Sequence, residues 1–179
     1  MAPTRIPGIA LLIVAGGLIL SACAPATGGG PVPGSSDAPG SAASGATALD
    51  DDGRTAVTAI TTAEASAGGR GFELERGDDD AWEVHVAVGE REVEVRVASD
   101  GTTVQSSQDH DGIDAEERAA LDAAVTTLAD AVRIATAQNP GGERVDEVQL
   151  EEDDGTWVWE VEVRDGTTVR VAAADGAVL

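Results

Sequence analysis

Two stretches decide the fold: Trp82-Glu83-Val84-His85-Val86 and Trp159-Glu160-Val161-Glu162-Val163. In each, a large apolar side chain alternates with a polar one. A period of two places Trp82, Val84, Val86 and Val88 on one face of a strand and Glu83, His85 and Ala87 on the other. Trp157, Trp159, Val161 and Val163 likewise oppose Val158, Glu160, Glu162 and Arg164. One apolar face per strand means an antiparallel sheet covered on one side only.

Working outward, the two stretches are parts of an internal repeat. The first copy runs Phe72-Glu73-Leu74-Glu75, the acidic turn Asp78-Asp79-Asp80, the Trp82 strand, Val95-Arg96-Val97-Ala98 and Asp100-Gly101. The second runs Val148-Gln149-Leu150-Glu151, Asp153-Asp154-Gly155, the Trp159 strand, Val169-Arg170-Val171-Ala172 and Asp175-Gly176. Keeping apolar residues opposite apolar residues predicts Val163 facing Val169, Val161 facing Val171 and Glu162 facing Arg170. In the first copy it predicts Val88 facing Val93, Val86 facing Val95 and Val84 facing Val97.

A helix is expected before each set of strands. Asp114-Ala115-Glu116-Glu117 reads as a capping box. Leu121, Val125, Leu128, Val132 and Ala135 then recur at spacings of one helical face, and Asn139-Pro140-Gly141-Gly142 ends the run. Residues 54–67 form the weaker counterpart, with Ala56, Ile60, Ala63 and Ala67 on one face and Gly68-Gly69 beyond. The fold expected is α+β: two αβββ units, each a helix packed on a three-stranded antiparallel sheet.

The order helix, Pro140-Gly141-Gly142, strand, acidic turn, Trp159-Glu160-Val161-Glu162-Val163, strand, Asp175-Gly176-Ala177-Val178 resembles the PepSY domain family. The first copy departs from it by having no proline before Gly68. The resemblance implies small extracytoplasmic αβββ modules in tandem, found among others in propeptides of thermolysin-type proteases. It implies protein binding or protease inhibition, no catalytic residues and no cofactor.

The start of the chain carries a different signal. Arg5 precedes an apolar run, Ile9 to Leu20, too short to span a bilayer of roughly 30 Å as a helix. Leu20-Ser21-Ala22-Cys23 follows, and Cys23 is the only cysteine. This resembles the lipobox of bacterial lipoproteins and implies lipidation of Cys23, anchoring the chain to the cell membrane on its outer side. Residues 24–48 are Gly, Ser, Ala, Pro and Thr with little else, a flexible tether reaching about 25–30 Å. The organisation expected is a signal peptide over 1–22, a tether over 23–48, a first unit over 49–105, a linker over 106–113 and a second unit over 114–179.

Beyond residue 22 the chain has ten arginines, no lysine and 33 acids, a side-chain charge of −23. Such a surface repels nucleic acid and anionic lipid. Nucleophilic catalysis has little to build on, because Cys23 is committed to lipid and the only histidines, His85 and His110, sit on a polar strand face and in the expected linker. The acidic clusters at Asp50–Asp52, Asp78–Asp80, Asp109–Asp111 and Glu151–Asp154 raise calcium as a partner. Their best loop fails, since with Gly112 in the glycine position Ser107 and Arg118 stand where acids are needed. Arg76-Gly77-Asp78 spells an adhesion tripeptide within a turn where Gly and Asp are ordinary. The leading expectation is a non-catalytic, membrane-anchored protein-binding module with a protease as one candidate partner. The alternative is an acidic calcium-binding or metal-responsive envelope protein.

Overall fold

A computed structural model describes residues 49–138 and 144–179. The first helix, α1 (Asp51–Ala67), begins three residues before the expected run because Asp50 caps it, its Oδ1 accepting from the Gly53 amide at 2.7 Å. Gly68 ends it in the left-handed region at φ +77° and donates to the Glu64 carbonyl, a conformation that costs glycine little. The buried face of α1 is Ala56, Ala59, Ile60 and Ala63, all fully inaccessible. Small side chains there let the helix lie close to its neighbours.

Seven strands follow in sequence around two further helices. They are β1 (Arg70–Arg76), β2 (Trp82–Val88), β3 (Arg91–Val97) and β4 (Val104–His110), then β5 (Val145–Asp153), β6 (Thr156–Val163) and β7 (Thr168–Ala172). Between β4 and β5 lie α2 (Ala115–Ala123) and α3 (Leu128–Gln138). All the strands join one antiparallel sheet in the order β4-β3-β2-β1-β5-β6-β7. The expected pair of separate three-stranded sheets is therefore one sheet. Its seam is β1 against β5, with Glu73 facing Gln149, Leu74 facing Val148 and Glu75 facing Glu147. Outward from that seam each half runs through its strands in chain order. Helices α1 and α3 pack on each other and on the sheet.

The expected faces hold and the expected registers do not. Val86 faces Val93 and Val84 faces Val95, and Val161 faces Val169. Both hairpins are displaced by two residues from the expectation. The turns are the cause. Gly89-Glu90 closes β2 to β3 in two residues with Gly89 at φ +64°, the geometry of a tight hairpin turn with glycine first. Between β6 and β7 the Val163 amide donates to the Thr167 carbonyl around three residues, Arg164 to Gly166, with Gly166 at φ +81°. A slip of two leaves every side chain on its own face. The cross-strand ion pair accordingly joins Arg170 to Glu160, at 2.6 Å, and not to Glu162.

The long second helix is broken. Ala124 turns extended at φ −64°, ψ 126°, and Thr127 restarts the helix by capping Asp130. Val125, expected in the core, is 74% exposed. The break has a partner that explains it: the Trp159 indole donates to the freed Thr126 carbonyl at 3.0 Å. Val125 and Thr126 amides both donate to Ala173. Arg70 closes the end of α2, donating to the Leu121 and Ala124 carbonyls at 2.5 and 2.8 Å, a cation at the negative end of a helix.

Residues 104–110 form a strand where the sequence reads a linker from 106. They pair with β3 along its length, Val95 facing Ser107 and Glu92 facing His110. The turn before β4 has a counterpart at the other end of the sheet. Asp100 accepts from Thr102 and Gly101 donates back to Ala98; Asp175 accepts from Ala177 and Gly176 donates back to Ala172. Beyond Gly176 the chain returns along β7, Val171 bridging Val178 and Leu179 donating to Arg170.

Trp82 and Trp159 are both fully buried, facing Val97 and Val171. Trp159→Ala should cost about 3–5 kcal/mol through the cavity and the lost indole bond. Asp153→Asn with Asp154→Asn should change stability by about 1 kcal/mol or less, since Asp154 is an exposed turn residue and Asp153 gives up only a half-exposed ion pair with Arg170. Asparagine tolerates the φ +49° of Asp154. Thermal melts of the two variants check this, and a calcium-dependent collapse of the double variant would contradict it.

Candidate functional site

The face of the sheet opposite α1 and α3 is built from the polar half of each alternating strand. Across β6, β5, β1 and β2 it sets Glu162, Glu147, Glu75 and Glu83 directly opposite one another in a row. Like charges so placed destabilise a sheet. Burial, then the charges of Glu73, Glu75, Glu162 and Glu151, push the Glu147 pKa above its usual range. The row ends on Arg96, which pairs with Glu83 and, at 2.6 Å, with Asp79.

The next rows gather the histidines. The His85 Nδ1 on β2 donates to a Glu92 carboxylate oxygen at 2.5 Å, and His110 on β4 meets Glu94 at 3.1 Å. The two imidazoles stand 6.5 Å apart, and the Phe72 ring meets His85 edge-on at 6.0 Å. Phe72 is the extra residue of a bulge between Gly71 and Glu73. Burial works against the His85 imidazolium, but the Glu92 hydrogen bond and the charges of Glu73, Glu92 and Glu94 outweigh it and raise its pKa above 6.5. Glu73 and Glu117 are raised too, each by burial first and then by neighbouring carboxylates. The sequence keeps the two histidines apart because residues 106–113 read as a linker; β4 is what brings them together.

At one end of the β1–β5 seam lies an ion-pair network. The Arg76 side chain is only 4% exposed and sits 3.8 Å over the Trp82 ring. It holds both Asp52 oxygens at 2.8 Å and the Val145 carbonyl at 2.9 Å. Asp52 in turn accepts from the Val145 amide, and Arg144 joins Asp52 to Asp80. With Arg76 so enclosed, the Arg76-Gly77-Asp78 tripeptide is not displayed for adhesion.

The other acidic clusters are also engaged in structure. Asp50 and Asp114 cap helices, Asp109 pairs with Arg91, and Asp153 pairs with Arg170. Glu117 does not complete the expected capping box; Asp114 accepts from the Glu116 and Glu117 amides. Among the described residues, no three His, Cys, Asp or Glu side chains converge on a metal position. Cys23, the expected lipidation residue, lies outside the described residues, as do the expected signal peptide and tether. No described helix is long and apolar enough to cross a membrane.

The two edges of the sheet differ. The β7 edge is covered by the returning residues 177–179. Nothing among the described residues pairs with the outer edge of β4, seven residues of which all but Ser106 are exposed. Sheets protect such edges with lysine, proline or inward charges; Val104-Gln105-Ser106-Ser107-Gln108-Asp109-His110 has no lysine, arginine or proline.

Residues 127–179 match the PepSY family model. The description of that family is "Peptidase propeptide and YPEB domain". The match starts on Thr127, the residue that caps α3, and takes in α3 and β5 to β7. No curated protein matches the chain. Among solved structures, a "putative lipoprotein" of Clostridium difficile 630 is similar at 18% identity, over 68% of this chain and 87% of that chain, with a TM-score of 0.40.

The histidine cluster makes stability depend on pH. His85 has a folded pKa above its unfolded value, so its contribution is complete below about pH 6.5 and is lost as pH rises through the folded pKa. The raised Glu73 and Glu117 act in the same direction, the folded state holding their protons longer. Urea melts at pH 6 and pH 9 should show lower stability at pH 9, and His85→Gln should flatten that slope. An unchanged slope in the variant would assign the effect to other groups.

Proposed function

We propose that this chain is a lipid-anchored, extracytoplasmic PepSY-type module that binds a protein partner without catalysis, a peptidase being the partner class. Residues 127–179 supply the PepSY match. Residues 49–105 make a second copy in this reading. Support for it comes from the shared order of helix and three strands, from Trp82 and Trp159 facing the equivalent Val97 and Val171, and from the matched Asp-Gly turns at Asp100 and Asp175. The extracytoplasmic, anchored part rests on the lipobox-like Leu20-Ser21-Ala22-Cys23.

The single observation that carries the binding reading is the open β4 edge. An extended peptide can add to it as an eighth strand, its main chain supplying affinity and alternate side chains supplying selectivity. The family's description as a peptidase propeptide supports a peptidase as the occupant.

Two experiments test this. Cys23→Ser should leave the chain unprocessed or release it from the membrane fraction; a processed, unlipidated chain still retained in membranes would remove the anchor. Separately, proline placed singly at positions 105 to 109 should divide into alternating classes, because amides along a strand point in and out in turn. The outward class should melt like the parent chain yet lose the peptidase captured from the cell envelope, measured by pull-down and zymography. Outward-class variants that capture it as well as the parent would end the edge-pairing reading.

A further inference from the structure

The third tryptophan has no counterpart in the first half of the sheet. Trp157 is partly exposed, facing Glu152 on β5, while Trp82 and Trp159 are fully buried. It stands between two depressions. One, of about 260 Å³, is apolar and lined by small side chains of α2 and the loop after β7: Ala120, Ala123, Ala124, Ala173 and Ala174. The other, of about 490 Å³, is lined by Trp157 with Glu73, Glu117, Glu151 and Glu152, and no cation lines it. Val125, 74% exposed where the helix breaks, lies next to the apolar side, its amide bonded to Ala173.

We infer that Trp157 and the carboxylates of Glu73, Glu117, Glu151 and Glu152 form a docking site for a basic side chain of a partner polypeptide, with an adjoining small apolar residue seated in the alanine groove. An arginine suits it in three ways. Its guanidinium stacks on an indole face, its planar fork of donors matches carboxylates, and its charge meets four acids in a cleft whose lining includes no arginine or histidine. Burial first, with neighbouring carboxylates and against the opposing charge of His85, raises the pKa of Glu73 and Glu117, and a cation in the cleft would relieve the remaining repulsion. An anionic partner is repelled by the same four groups, and a purely apolar one would desolvate them without compensation. The inference deepens the binding-module reading by naming the chemistry of the partner. It uses β1, β5, β6, α2 and the loop after β7, and no residue of the β4 edge.

The test uses the full 179-residue chain in a neutral detergent. The probe is an acetylated, amidated decapeptide of alternating leucine and arginine, compared with a version carrying citrulline, the neutral isostere of arginine. Three indole N–H signals are available in a proton–nitrogen spectrum, one per tryptophan. The arginine peptide should shift the Trp157 signal and leave those of Trp82 and Trp159 in place. The citrulline peptide should bind at least about tenfold more weakly, the scale of one charge-assisted contact. Trp157→Leu, and separately Glu117→Gln with Glu151→Gln and Glu152→Gln, should each weaken the arginine peptide by about the same factor. The glutamine variant preserves side-chain shape and keeps the test valid if the leucine variant unfolds.

Equal binding of the two peptides would overturn the inference. So would equal binding to parent and glutamine variant, which would mean diffuse attraction to a highly charged chain. Calcium moving the Trp157 signal and displacing the peptide would replace it with a cation site. An outward-class β4 proline variant that keeps both its peptidase and the peptide shift would count against the edge alone. A glutamine variant that loses the peptide but keeps the peptidase would count against this cleft alone.

Discussion

The buried Arg76 is the constraint on which the joined sheet depends. The seam between the halves is short, with three facing pairs between β1 and β5. Arg76 extends it from the last position of β1, holding the Val145 carbonyl at the first position of β5 while Asp52 takes the Val145 amide. The same pair fastens the first turn of α1 to both strands. A guanidinium this enclosed is costly to desolvate, and its pKa is lowered by burial against the pull of Asp52. Removing one partner of such a pair generally costs about 3–5 kcal/mol, because the other is left buried and uncompensated. The Trp82 ring beneath supplies a third contact. Charge, aromatic packing and strand pairing therefore meet in one residue, and α1 cannot shift without disturbing the seam.

The sequence carries the faces of the strands clearly and their registers poorly, for one reason. Valines recur at 93, 95 and 97 and at 169 and 171, so a slip of two residues exchanges one apolar pair for another. Turn geometry decides between them, and Gly89 and Gly166 impose loops that periodicity does not reveal. The helix break is similar. Val125 lies on the helical face of Leu121 and Leu128, and hydrophobic spacing alone cannot separate one helix from two. The separating signal was present as Thr127 three residues before Asp130, a capping pattern inside an apolar run. The strand β4 was hardest to see, since Gln105-Ser106-Ser107-Gln108 has neither alternation nor β-branched residues. Its only clue was the repeat itself, which places β4 after Asp100-Gly101 as residues 177–179 follow Asp175-Gly176.

The site was legible in the same uneven way. The place of Trp157 near a strand end, and its lack of a first-half equivalent, can be read from the repeat; its partial exposure cannot, since alternation puts it on the apolar face with Trp159. The neighbours that give it meaning cannot. Glu73 and Glu117 come from β1 and α2, far from it in the chain, and the alanines reach it through the helix break and the loop after β7. The histidine cluster has the same origin, assembled by a strand the sequence disguises. The charge of the chain is spread widely, but its consequences are local. Where arginines lie opposite, as at Glu83 and Glu160, the sheet is internally neutralised; at Glu75, Glu147 and Glu162 and around Trp157 it is not.

The unequal edges have a consequence for assembly. A sheet with two open edges can accept strands at both ends, and such units propagate into open filaments. Here residues 177–179 close one end, which leaves a single acceptor among the described strands. Addition at β4 is therefore self-limiting: once that edge is taken by a peptide, or by the same edge of a second chain, no further growth by strand pairing is available. If the chain is anchored at a membrane as proposed, it would gain from such termination, because crowding there favours every association that geometry leaves open.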